Sequence, residues 1–124
     1  MSFLILEGAT ATNSAPSAAT DGINHKKEGM LRDKATVFVE STAGSGTMTV
    51  TIKLWGYNSV RALWAPLGTD PDKGVINGGS AIAEEEADTL QHMEILEGLS
   101  NIDRIYAEVT TIGGTSTAVN VGLM

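Results

Sequence analysis

Thr47-Met48-Thr49-Val50-Thr51-Ile52-Lys53-Leu54 alternates polar and apolar side chains without a break. A period of two is what a strand needs when one face is buried and the other is wet. Met48, Val50, Ile52 and Leu54 therefore point inward, and Thr49, Thr51 and Lys53 point outward. Trp55 continues the outward row. Just upstream, Ala35-Thr36-Val37-Phe38-Val39-Glu40 repeats the pattern, with Ala35, Val37 and Val39 on one face. Ser41 to Gly46 lies between the two and reads as a turn, so the segments are expected to pair as an antiparallel hairpin.

The C-terminus carries a second pattern of the same kind. Ile105, Ala107 and Val109 share one face of a segment from Arg104 to Thr110, and Val119, Val121 and Leu123 share one face of the last segment. Gly113-Gly114 supplies turn chemistry between them, which predicts a second hairpin. In the middle, Ser59 to Leu67 reads as a strand ended by Pro66, and Gly68 to Gly79 as turns. Ile82 to Leu99 carries two patterns. Ala87, Leu90, Met93 and Leu96 recur every three residues with Gly98 as a helix cap, whereas residues 91–97 alternate with Met93 and Ile95 on one face. A strand at 91–97 is preferred. The whole reads as an all-β, antiparallel β-sandwich of jelly-roll-like type with about eight strands.

Outward to the N-terminus the signal weakens. Phe3-Leu4-Ile5-Leu6 is a short apolar run, a first strand or an anchor, and too short for a signal-peptide core or a membrane span. Ala9 to Thr20 is a small-residue stretch, and Asp21 to Arg32 a polar loop. The expected division is an extended arm or edge strand over 1–33 and a sandwich domain over 34–124. Ordering such a leader is costly, so it is expected to be mobile in the free protein and to order on a partner.

Composition narrows the function. The chain has 124 residues, 14 of them Gly, and no Cys. Disulfides, thiolate nucleophiles and Cys-based zinc sites are therefore excluded. A net charge of −7 argues against nucleic-acid binding. Lys26, Lys27, Arg32 and Lys34 form a basic cluster, whereas Glu84 to Glu108 is strongly acidic. That polarity suits docking to a complementary surface, and equally a plain solvated face. Synthesis in the cytoplasm and no membrane association are expected.

Catalytic chemistry has little to work with. His25 and His92 are the two histidines and read as ordinary surface residues, and Gly44-Ser45-Gly46 is not a nucleophile elbow. Asp70 and Asp72 lack the ligand series of a calcium loop, and Glu84-Glu85-Glu86 with Asp88 reads as a solvated charge run. Neither an enzyme nor a cofactor is expected. Trp55, Tyr57 and Trp64 are close enough in sequence to form an aromatic platform. Packing or subunit contact is the preferred reading, and stacking on sugar rings the alternative.

Three segments carry a family resemblance: Ala43 to Gly56, Val60 to Gly68, and Ile105 to Leu123. A Thr-rich strand, a strand with a Trp, and a Gly-Gly hairpin into the C-terminus follow in an order that resembles the small jelly-roll capsid decoration, or cement, proteins of tailed bacteriophages. The resemblance implies a structural virion protein on the capsid surface. It would bind the major capsid protein of the assembled shell as a homo-oligomer, dimer or trimer. A head–tail connector or tail protein, or a glycan-binding accessory module, is the alternative. The expected interface residues are Phe3, Leu4, Ile5, Leu6, Lys26, Lys27, Trp55 and Tyr57.

Overall fold

The computed structural model describes residues 2–67, 74–83 and 90–124, with side chains at all of these except 42–48, 83, 90–91 and 114–117. Six strands are described: β1 (Phe3–Ala9), β2 (Ala35–Asn58), β3 (Leu63–Pro66), β4 (Ile82–Ala83), β5 (Leu90–Leu96) and β6 (Arg104–Leu123). Short 3-10 turns at Ile76–Gly79 and Leu99–Asn101 complete the chain. All strand pairings are antiparallel.

Neither predicted hairpin is formed. β2 runs through Ser41 to Gly46 and pairs with β6, from Val37 opposite Leu123 to Tyr57 opposite Arg104. Gly113 and Gly114 likewise lie inside β6. The four alternating segments are strands as expected, but each takes its partner from the other end of the sequence. The pattern of a strand says which face is buried and nothing about which neighbour it bonds to.

The result is a sandwich built from one long ribbon. Val37 and Leu54 line the same cleft, although a straight strand would hold them roughly 55 Å apart. The ribbon therefore doubles back between them, close to the register shift between Ser45 and Thr49. Across that shift the buried positions change from odd (Val37, Val39, Ser41) to even (Val50, Ile52, Leu54). One layer carries β1, the C-terminal half of β6, the N-terminal half of β2, and β5. The other carries the remaining halves of β6 and β2 with β3 and β4.

Between the layers lies one apolar core. Val39, Val50, Ile52, Ile105, Val109, Val119, Val121 and Leu123 are fully buried in it. These are the inward positions of the alternating segments; Met48 is the one whose side chain lies outside the described residues. Residues 90–96 are strand, as preferred, but the face carrying Met93 and Ile95 is the solvent face, and Leu96 is the buried residue.

Of the two readings of the leader, the edge strand is found at β1, and the detached, mobile arm is corrected. Phe3 pairs with Leu123 and Leu4 with Gly122, and Ile5 is buried in the core. Beyond β1, residues 13–23 run along the free edge of β6. Asn13 bonds to Val109 and Ala107, Ile23 bridges to Ile105, and the Arg104 guanidinium donates to the carbonyls of Thr20, Asp21 and Gly22. Gly22, at φ +68°, allows this approach, because a Cβ there would strike the Ile105 carbonyl. The ordering cost is offset by the backbone pairing and burial that these contacts bring.

A candidate docking surface

Because the ribbon doubles back, both ends of β2 arrive at the same end of the sandwich. Three loops meet there, at residues 24–34, 59–62 and 97–103, and hydrogen bonds tie them together. The Leu99 amide donates to the Asp33 carbonyl, and the Ser100 hydroxyl donates to Asp33 Oδ1 at 2.5 Å. Asn58 Nδ2 donates to Asn101 O at 3.0 Å, and the Ser59 amide to Asp103 Oδ2 at 2.8 Å. Lys26 Nζ donates to Ser100 O and lies 3.6 Å from Asp103 Oδ1. Hydrogen bonds from Ser100 hold the Asp33 carboxyl below its usual range, and those from Ser59 do the same for Asp103.

This anchored end presents a mixed apolar and basic surface. Val60 is 90% exposed and Leu31 74% exposed, the two most exposed large apolar residues among those described. Lys26 and Lys34 are paired with Asp103 and Glu97. Lys27, Arg32 and Arg61 have no carboxylate within ion-pair distance among the described residues, and all three are exposed. A rigid loop end with uncovered apolar tips and unpaired bases suits contact with an acidic protein surface that has apolar hollows. The 59–62 tip is held in a strained form, with Ala62 at φ +54°, a conformation non-glycine residues rarely adopt.

The expected interface residues are dispersed. Phe3, Leu4, Ile5 and Leu6 belong to β1, where Ile5 is buried and the others half-buried. Lys26 and Lys27 lie on the loop end. Trp55 and Tyr57 lie on the outer face of the second layer, where Trp55 Nε1 donates to Glu108 at 2.8 Å and Lys53 sits 4.6 Å above the Trp55 ring. Tyr57, Trp64 and Tyr106 form one cluster, with ring centres 5.3 Å and 6.1 Å apart. Residues of the leader close over it: Trp64 Nε1 donates to Ala18 O, and Tyr106 Oη to Ser14 O. Both indole N–H groups are thus engaged within the chain. Leu31, Val60 and Arg61 were not singled out from the sequence. Leu31 follows Met30, and Val60 and Arg61 precede Ala62 and Leu63, so their neighbours gave no signal of exposure.

His25 is not a surface residue. It is fully buried, and its Nε2 donates to Leu99 O at 3.0 Å. A carbonyl only accepts, so Nε2 carries the proton and Nδ1 is left as a buried atom without a partner among the described residues. Burial lowers the imidazole pKa from its ordinary value, Lys26 adds to that effect, and the Leu99 carbonyl and Asp103 oppose it. The sequence hid this because neighbouring polar residues made 21–32 look like a solvated loop, whereas Met30 and His25 both turn into the core. His92 is half-buried, with Nε2 2.6 Å from Glu94 Oε1.

A cleft of about 710 Å³ opens between the layers beside β5, floored by Val37, Leu54 and Ile76, with Asp33, Glu94 and Glu97 among its lining residues. Its carboxylates are engaged: Glu94 with His92 and the Asn77 amide, Glu97 with Lys34, Asp33 with Ser100. Among the described residues no group of three or more His, Asp or Glu side chains is placed to hold a metal ion. Asp70, Asp72, Glu84, Glu85, Glu86 and Asp88 lie outside the described residues. No family model, curated protein or solved structure matches the chain.

Proposed function

We propose that this protein is a structural docking module, a decoration protein that seats its loop end on the assembled shell of a tailed bacteriophage. The observation that carries the reading is the cross-tied loop end, where among the described residues Val60 and Leu31 are uncovered and Lys27, Arg32 and Arg61 unpaired. The choice of shell rests on the sequence resemblance. Rigid loops lose little conformational freedom on binding, so contact energy is retained as affinity. Binding only the assembled lattice stabilises it by mass action.

The test is co-sedimentation with empty shells and with unassembled capsid subunits. Shells should retain the protein and free subunits should not, with binding weakened by added salt. Val60→Asp combined with Arg61→Glu should weaken shell binding at least about tenfold while leaving the unfolding temperature unchanged. Undiminished binding by that variant would remove the loop end from the interface, and equal binding to free subunits would remove the cement mechanism.

A further inference from the structure

β5 is the flank strand of its layer. One edge pairs with β2, and among the described residues the other edge takes no backbone partner. Its outward face carries Met93, 52% exposed, and Ile95, 73% exposed. Across the sheet, Met93 stands opposite Phe38, Phe38 opposite Gly122, and Gly122 opposite Leu4, so an apolar row ends at an edge that is open among the described residues. An open edge with apolar side chains is a template for another strand.

We infer that the occupant is a second copy of this chain, joined β5 to β5 in antiparallel register about a twofold axis at Met93. Charge selects both the partner and the register. Centring on Met93 sets Glu94 opposite His92 of the second copy, Ile95 opposite position 91, and Met93 opposite itself. Centring on Glu94 would oppose two carboxylates. Centring on His92 would oppose two imidazoles and leave Glu94 without a match. Centring on Ile95 would set Met93 against Glu97. Only the first arrangement places the inward His92–Glu94 pair, already 2.6 Å apart within one strand, against its own complement. Like charges directly opposite one another destabilise strand pairs, and opposite or hydrogen-bonding pairs stabilise them. The joined layer then runs from β1 of one copy to β1 of the other, and the apolar row becomes continuous through Met93. An isologous contact of this kind closes on itself and leaves no further β5 edge to propagate. This inference is independent of the shell-docking reading, since Met93 lies on the flank strand and not on the loop end.

Sedimentation equilibrium of the full chain tests it. The parent protein should be a dimer, and Met93→Glu and Met93→Lys should each be monomeric, their dimer dissociation constants raised at least about 100-fold. An equimolar mixture of the two variants should recover the dimer, because residue 93 faces its own copy. That recovery also shows that both variants are folded. A monomeric or trimeric parent, a Met93→Glu variant that stays dimeric, or a mixture that stays monomeric would each overturn the inference.

Discussion

His25 is the residue whose environment departs most from its chemistry. An imidazole with one satisfied nitrogen and one bare, buried nitrogen is tolerated only while neutral. Its folded-state pKa lies below the ordinary value of 6.5. The unfolded chain therefore takes up a proton near 6.5 that the folded chain refuses. The stability linked to His25 is complete above that value and falls as pH drops through it toward the folded pKa. Urea titrations from pH 7.5 down to 5 should show this loss in the parent protein. In His25→Gln the loss across that window should disappear, on a baseline lower by about 1–3 kcal/mol from the disturbed burial. A His25→Gln variant as stable as the parent would mean that the buried imidazole is not held as described.

At the scale of elements, the leader is the informative one. β1 contributes Ile5 to the core and half-buries Phe3 and Leu6 against it, and it covers the edge of β6 that runs from Val119 to Leu123. Removing residues 1–20 would strip that edge and its apolar cover. It would also remove the acceptors of the Trp64 and Tyr106 hydrogen bonds. Each large apolar side chain returned to water costs up to about 1.5–3 kcal/mol. Calorimetry of the truncated chain should therefore show an unfolding temperature lower by more than about 10 °C, or no cooperative transition. A truncated chain that melts with the parent would restore the picture of a detached arm.

For the molecule as a whole, the governing feature is that its main ribbon joins distant stretches of chain. Val37 bonds across to Leu123, and Tyr57 to Arg104, where two local hairpins would have been the shorter route. Loop closure must precede the contacts that reward it, so a topology of this kind folds on the millisecond-to-second scale. Stopped-flow refolding followed by Trp55 and Trp64 fluorescence should find its main phase there. A main phase in microseconds would point to local hairpins as the first structure formed.

The alternation of Val50, Ile52 and Leu54, of Val37 and Val39, and of Val119, Val121 and Leu123 was sufficient to establish the strands, their buried faces and the sandwich class. Side-chain period is a local property, written in adjacent residues, and burial follows from it directly. The loop-end bases Lys26, Lys27 and Arg32 were visible as a cluster for the same reason. Tertiary structure alone decided the partner of each strand, the doubling of the ribbon, the burial of His25 and the docking of the leader on β6. Those depend on which surfaces meet after the chain has closed. A Gly-rich stretch such as Gly44 to Gly46 is compatible with a tight turn and with a bending strand alike, and the free energy that separates the two is distributed over the whole core.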